Sequence, residues 1–342
     1  MKIKKQLDSL IKDFALEAYL SKPPRDKVEE FEPTIVDNPS FEEAKNLDNN
    51  GKWKDSADHY YTIFTTTNDP LEKAESYIQL AQTLINLVKY IKARGFLLEN
   101  KDNVLANLSE PDKTFFEARV FEKLGWINDY LGETKEAISN FSRARDLLSE
   151  KANKDDSILR IYETSNHFLG RLYTILAWQA NETDTDKDTE KAIERFNESI
   201  QIYEKLRSRG KKDDAAEGFQ YAWLARVHIM QGYHTQTEKD LEKMKELFET
   251  TVQERPGSGV LGYYHLLLGR LKFEQNDLKS SRENFAESLR INTEVLNYPS
   301  SQADALLGMA LCDYSLGEIE KSKEETQKAL FLNPSLLYRG YV

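Results

Sequence analysis

The feature that most constrains this chain is a recurring pattern in which small residues are matched with aromatic rings at helical spacing. In the clearest copy, Leu268–Gly269 is followed by a polar turn and by a second helical stretch that carries Ser281, Phe285 and Ser288. Two helices approach closely only where side chains are small, and a large ring from the second helix fills the space beside them. The pattern therefore predicts a helical hairpin, which buries its remaining faces by stacking on other hairpins.

The same pattern recurs along most of the chain. The copy that contains Gly125, Ala137 and Phe141 superimposes on the first without gaps. The other copies are marked by small residues at Ala44, Ala81, Gly170, Ala225 and Ala310. Val88 stands where the second copy is expected to have a turn glycine. About seven repeats follow, starting near residues 37, 74, 118, 163, 218, 262 and 303.

This pattern resembles the tetratricopeptide repeat (TPR) family over roughly residues 37–336, and the wide spacing of its copies is similar to the long-helix variant of that family. The resemblance implies an all-α fold, a right-handed superhelical solenoid of about seven TPR-like hairpins. We expect an N-terminal amphipathic helix and a Pro-rich acidic linker over residues 1–36, followed by the array over residues 37–342.

The two ends of the chain carry apolar segments of their own. Ile3, Leu7, Leu10, Ile11, Phe14 and Ala18 form one stripe at helical spacing. We expect this helix to cap the open end of the array. Docking on a partner, folding into the array's own groove, and binding a membrane surface remain as alternatives. The apolar tail over residues 336–342 is expected to pack on the last repeat.

Composition and motifs argue against several classes of function. A net charge of −11 argues against general nucleic-acid binding, which needs a surplus of Lys and Arg. The single Cys312 cannot form an internal disulfide, which favours a cytoplasmic location. No window of the chain is apolar enough for a membrane span.

We find no motif for catalysis, for a cofactor or for a metal. The acidic segment Asp184–Glu190 fails as a calcium loop because Thr189 and Arg195 stand where that loop requires Gly and Glu. His228 and His265 fall at inward-packing helical positions, where we expect hydrogen-bonded core histidines.

A stripe of arginines is the most informative functional signal. Arg171, Arg226 and Arg270 each follow the small mid-helix residue of successive repeats. By resemblance to the family, this position faces the concave surface, together with positions one helical turn away. The candidate partner-binding groove therefore comprises Arg119, Trp126, Tyr130, His167, Arg171, Phe219, Arg226, Tyr263, Arg270 and Phe273.

Guanidinium groups bind carboxylates in a bidentate manner, and aromatic rings anchor apolar side chains. A basic-aromatic groove of this kind suits a protein or peptide partner with acidic residues or a C-terminal carboxylate. Alternatively, the arginines pair within the array, for instance with Glu163, Glu217 or Glu274.

The leading hypothesis for function is a non-catalytic interaction module or scaffold that holds a peptide or helix of a partner. The alternative is a peptide- or partner-responsive regulatory protein whose superhelix changes shape on binding.

Overall fold

The computed structural model describes residues 2–16, 31–150, 155–180, 185–296, 299–334 and 336–337. Within these ranges there is no β-strand, and the chain forms fifteen α-helices. In chain order they are α1 (Lys2–Asp13), α2 (Phe41–Asn49), α3 (Trp53–Thr66), α4 (Pro70–Asn86), α5 (Tyr90–Ala106), α6 (Asp112–Tyr130), α7 (Thr134–Leu148), α8 (Asp156–Gln179), α9 (Thr185–Ser208), α10 (Asp214–Gln231), α11 (His234–Glu254), α12 (Leu261–Glu274), α13 (Leu278–Ile291), α14 (Pro299–Ser315) and α15 (Ile319–Leu332).

The helices from α2 onward pack as consecutive pairs, α2 with α3 through α14 with α15. The α8–α9 pair is held by the contact of Gly170 with the ring of Phe196. Neighbouring pairs also touch through their first helices, as α10 does with α12 and α12 with α14. The predicted all-α fold of stacked TPR-type hairpins is confirmed.

The chain divides into two compact units. The smaller unit spans Pro23–Leu169, and the larger unit combines Met1–Lys22 with Gly170–Val342. Helix α1 therefore groups with the C-terminal half of the chain. The division into residues 1–36 and an array over 37–342 stays a prediction.

Glycine–phenylalanine contacts hold the hairpins together, for the reason that the sequence suggested. A Cβ atom on Gly125 of α6 would lie 2.8 Å from the ring of Phe141 in α7. In the larger unit, the ring of Phe285 in α13 packs against two glycines, Gly269 of its own hairpin and Gly308 of the next. A Cβ atom on either would approach the ring to 2.9 Å or 2.5 Å. One ring thus fixes the spacing of three helices.

The turn at Val88 has the backbone conformation of the glycine-containing hairpin turns. Gly132, Gly232 and Gly317 adopt left-handed φ angles of 79°, 74° and 82°, and Val88 adopts 61°. A β-branched residue is strained in this region. Val88 therefore keeps the turn geometry of a glycine at a local conformational cost.

Several predictions about other segments can be compared with the structure. Residues 17–30, which include Ala18 of the predicted stripe and the first part of the predicted linker, lie outside the described ranges. Phe31 is buried in the core of the smaller unit. The main-chain N–H of Thr34 donates to Asp58 and that of Val36 donates to Thr62. This part of the linker is packed onto the smaller unit.

The acidic segment proves to be largely helical. Asp184 lies outside the described residues, and the segment from Thr185 onward forms the first turns of α9. Among the described residues no cluster of three or more metal-ligating side chains is present. At the end of the chain, Leu336 and Leu337 are buried in the core of the larger unit, and residues 338–342 lie outside the described part. None of the described helices is long and apolar enough to cross a membrane.

Candidate functional site

The most distinctive feature of the larger unit is that α1 lies against α12 and α14, the first helices of the last two hairpins. Ile3, Leu7, Leu10 and Ile11 are between 0% and 7% exposed. They join one apolar cluster with residues of both helices, among them Leu266, Phe273, Leu306 and Met309. We call the surface formed by these last four residues the α12–α14 groove.

Polar contacts fix the first turn of α1 in the groove. The carboxylate of Glu274 accepts hydrogen bonds from the main-chain N–H groups of Lys2 (2.7 Å) and Ile3 (2.8 Å). These donors have no partner within their own helix, so Glu274 caps α1 from a different helix. The ammonium of Lys2 lies 5.1 Å from the centroid of the Phe273 ring and donates to the side-chain oxygen of Asn276.

Further contacts hold α1 at both of its ends. The ammonium of Lys4 donates to the main-chain carbonyls of Trp178 and Ala180, at the C-terminal end of α8. At the other end of α1, the hydroxyl of Tyr314 donates to the carboxylate of Asp13. This hydrogen bond raises the pKa of Tyr314 above its ordinary value. The ring of Phe14 packs edge-on against Tyr314 at 6.1 Å.

The N-terminal helix packs on the array itself, across the first helices of its last two hairpins, which agrees with the alternative that it folds into the array's own groove. The expectation that it caps the open end of the array is wrong. A stripe as broad as that of α1 needs two helices to cover it, and the paired faces of α12 and α14 supply them.

Two of the three arginines in the predicted stripe are buried in the larger unit. Arg226 is 7% exposed, and its guanidinium carbon lies 4.7 Å from the ring of Trp223 and 5.0 Å from that of Tyr263. Arg270 is 4% exposed, whereas Arg171 is partly exposed and lies 5.6 Å from the Trp223 ring. Arg171 is therefore the most accessible member of the stripe.

The carboxyl group of Asp304 in α14 interacts electrostatically with the two buried arginines. Burial raises the pKa of Asp304, and the positive charges of Arg270 and Arg226 act in the opposite direction. The three side chains come from α10, α12 and α14, so this electrostatic interaction spans the first helices of three hairpins.

The predicted aromatic positions of the larger unit also contact one another. The ring of Phe219 lies 5.2 Å from Phe248 and 5.5 Å from Tyr263. The structure thus brings Phe219, Arg226 and Tyr263 together, and it places Phe273 under the first turn of α1.

The remaining predicted groove residues belong to the smaller unit. Arg119 forms a bidentate ion pair with Glu75, with 2.9 Å between Nη2 and Oε1. Burial alone would raise the pKa of Glu75, but the Arg119 guanidinium brings it below its ordinary value. Arg119 therefore forms an ion pair within the smaller unit.

Trp126, Tyr130 and His167 pack among other rings of the smaller unit. The Trp126 ring lies 4.5 Å from Phe168, and Tyr130 stacks on Tyr90 at 4.9 Å. His167 meets Phe168 edge-on at 5.2 Å. These contacts stabilise the unit itself, since aromatic pairs contribute about 0.5–1.5 kcal/mol beyond their area.

The glutamates named as internal partners have contacts of their own. Glu217 accepts a hydrogen bond of 2.5 Å from Arg207, and Glu274 caps α1. Both histidines predicted in hairpin cores are hydrogen-bonded, but only His228 is buried, whereas His265 is half-buried. The imidazole of His228 meets Asp240 at 2.6 Å, and that of His265 meets Asn284 at 3.0 Å.

Sequence reasoning missed the residues that receive α1. Glu274, Asn276, Trp178, Leu306 and Met309 carry no motif that marks them as a receptor for a helix. The available signal was the apolar stripe of α1, which required a matching surface somewhere in the chain.

Comparisons with known proteins agree with this architecture. No model of a protein family matches the chain, and neither does any of the curated proteins. Among solved structures, the quorum sensor NprR from B. thuringiensis, in its apo form, is similar over 96% of this chain and 77% of its own, with a TM-score of 0.56 and 12% identity.

A STAND protein with a tetratricopeptide repeat sensor from Pyrococcus horikoshii is similar over 86% of this chain, with a TM-score of 0.58 and 16% identity. The match covers 41% of that protein. At such identities the likeness concerns the fold. The chain has the TPR-type fold, built of helical hairpins that stack through their first helices.

Proposed function

We propose that this chain is a non-catalytic interaction scaffold, which binds a helix or peptide of a partner protein on the first-helix face of its larger unit. The observation that carries this proposal is the seating of α1 across α12 and α14. This surface already binds an amphipathic helix. Its apolar residues contact the buried face of that helix, and Glu274 forms hydrogen bonds with the first turn. The net charge of −11 supports a protein partner over a nucleic acid, and the single buried Cys312 supports a cytoplasmic location.

The presence of α1 on this surface also favours the regulatory alternative, a protein that responds to its partner. A surface that is already covered must release its own helix before it binds another, which couples binding to a change in the chain. The likeness to NprR, a protein named as a quorum sensor, agrees with this alternative at the level of fold.

A preference for acidic residues or a C-terminal carboxylate in the partner stays part of the proposal. Arg171 is the best candidate to bind such a carboxylate, because Arg226 and Arg270 are buried. Reversing the charge of all three arginines would bury two carboxylates and would disturb the fold itself. A single reversal at Arg171 is the sharper test.

The experiment is fluorescence polarisation on the full chain with three labelled peptides of about 15 residues. All three have the apolar spacing of α1, and their polar faces are acidic, neutral or basic. We expect at least one peptide to bind, and Arg171→Glu to weaken the acidic peptide about tenfold. The matched control is Arg160→Glu, an exposed arginine in the first half of α8.

Two results would contradict the proposal. The first is that no peptide binds, even to a chain whose α1 has been released by substitution. The second, for the carboxylate preference, is that Arg171→Glu and Arg160→Glu have the same effect.

A further inference from the structure

We infer that the α12–α14 groove takes an amphipathic helix of a partner protein that carries the side-chain pattern of α1, including lysines in its first turn, and that α1 leaves the groove when this helix binds. The inference rests on the proposed function and names the kind of partner.

The apolar part of the pattern follows from the burial of α1. Its buried residues Ile3, Leu7, Leu10 and Ile11 are spaced as one face of a helix, while Lys5, Asp8, Ser9 and Lys12 on the other face are exposed. The groove therefore contacts one stripe only. A partner helix is constrained at the positions equivalent to 3, 7, 10 and 11 and is free elsewhere.

The polar part of the pattern comes from the residues around the first turn of α1. The side-chain oxygen of Asn276 accepts from the ammonium of Lys2, and the last carbonyls of α8 accept from the ammonium of Lys4, while Glu274 accepts from main-chain N–H groups. A helix C-terminus carries partial negative charge, so this end of the groove favours ammonium groups. The resident helix is basic where it enters the groove, in contrast to the acidic peptide that the arginine stripe suggested.

The arginine stripe and the groove therefore have opposite preferences within one unit. Arg226 and Arg270 interact electrostatically with Asp304, whereas the α1 contacts centre on Glu274. Because α1 is the only helix observed to occupy this face in the described part of the chain, its contacts are the more direct guide to what the groove accepts.

Displacement of α1 is physically reasonable because of its length and its attachment. The helix has 12 residues, and an isolated helix of that size is marginal in water. It is held on one face by apolar contacts and by a few hydrogen bonds. A partner helix with the same pattern competes against a tethered helix, whose advantage is its effective concentration.

The test uses an N-terminally acetylated peptide of residues 2–16 with fluorescein at its C-terminus, titrated with the full chain. The double variant Leu7→Asp/Leu10→Asp releases α1 without changing the groove. The matched control, Asp8→Ala/Ser9→Ala, alters the exposed face of the same helix. We expect the peptide to bind the released chain about tenfold or more tightly than wild type or the control, because the resident helix no longer competes.

Groove specificity is tested in the released chain. Glu274→Gln is expected to weaken the peptide several-fold, and Glu283→Gln, at an exposed site on α13, is expected to leave it unchanged. A peptide with Lys2→Glu and Lys4→Glu is expected to bind about tenfold more weakly. If the double variant does not fold, as judged by circular dichroism, Leu7→Ala/Leu10→Ala takes its place, since it removes apolar contacts of α1 and leaves every groove residue unchanged.

Equal affinity of the 2–16 peptide for wild type and released chain would overturn the inference, as would equal binding of the charge-reversed peptide. A dimer that forms by exchange of α1, detected by light scattering, would overturn the assignment to a separate partner. If acidic peptides bind the released chain and the basic peptide does not, this inference fails while the proposed function stands. If no peptide binds, both fail.

Discussion

The carboxylate of Glu274, the last residue of α12, accepts a hydrogen bond of 2.8 Å from the main-chain N–H of Ile3 in α1. The two residues are far apart in sequence, and their contact places the start of one helix on the end of another. A carboxylate at a helix N-terminus satisfies free N–H groups and interacts favourably with the helix dipole. Glu274 thus sets the register of α1 in the groove.

We predict that Glu274→Ala loosens α1 without unfolding the larger unit. Loss of an N-terminal cap costs about 1 kcal/mol, which corresponds to roughly fivefold faster opening of the helix. Hydrogen–deuterium exchange of the amides in residues 2–13 measures this change. Glu283→Ala provides the control, and faster exchange in both variants would show that Glu274 has no special role.

The close packing of Gly308 against the ring of Phe285 leads to a prediction about stability. Gly308→Ala places a Cβ atom against the ring, and we expect a loss of about 1–3 kcal/mol in the free energy of unfolding. Gly95→Ala in α5 is the matched control, because its Cβ atom would lie 3.8 Å from the nearest atom, on the flexible side chain of Glu99. There we expect a gain of about 0.5–1 kcal/mol from helix propensity. Chemical denaturation measures both, and equal effects would contradict the packing account.

The spacing of small residues and rings was enough to predict the hairpins. Gly125 with Phe141 and Gly269 with Phe285 are local pairs, separated by one turn, so their contact follows from helical periodicity alone. The contact of Gly308 with Phe285 could not be predicted in this way. That contact joins two hairpins, and periodicity within a helix does not fix how neighbouring hairpins are placed.

The candidate site was predictable only in part for the same reason. The positions of Arg226 and Arg270 on the first helices follow from the repeat, but their burial depends on Trp223, Tyr263 and Asp304, which lie on the same or adjacent helices. A sequence pattern indicates which face a residue occupies. It does not indicate whether that face is covered by another part of the chain, as α1 covers the groove.

In the smaller unit, Arg119→Ala leaves the carboxylate of Glu75 without its bidentate partner. We expect a loss of about 2 kcal/mol, because a partly buried charge remains uncompensated. The exposed pair of Lys328 and Glu324 is the comparison, and Lys328→Ala is expected to have a much smaller effect on stability, because solvent screens an exposed ion pair. Thermal unfolding at neutral pH measures the loss of stability in each of the two variants. Similar losses would show that the Arg119 pair behaves as a surface ion pair.

A cluster of charges at the last hairpin predicts a pH dependence of stability. Burial and the nearby carboxylate of Asp313 raise the pKa of Glu325 to about 7, from an ordinary value of 4.5. Between these values the folded state keeps a proton that the unfolded state has lost, so stability falls as the pH rises. Asp313 has a lowered pKa, since its ion pairs with Arg282 and Lys321 outweigh the effect of burial, and it therefore acts below this window.

We expect wild type to lose on the order of 2 kcal/mol between pH 5 and pH 8 relative to Glu325→Gln, whose side chain does not ionise. Urea denaturation across this range measures the difference. Glu324→Gln, at the exposed neighbouring position, should keep the wild-type slope. A slope unchanged in Glu325→Gln would contradict the assignment.

The central claim is that α1 is seated in the α12–α14 groove and is exchanged for a helix of the same pattern. The most direct measurement is the distance distribution between spin labels at Asp8→Cys on α1 and Glu320→Cys on α15, both exposed positions, by double electron–electron resonance. The account predicts one narrow distribution for the free chain and a broad one in the presence of excess acetylated 2–16 peptide. A broad distribution in the free chain, or a narrow one that the peptide leaves unchanged, would contradict it.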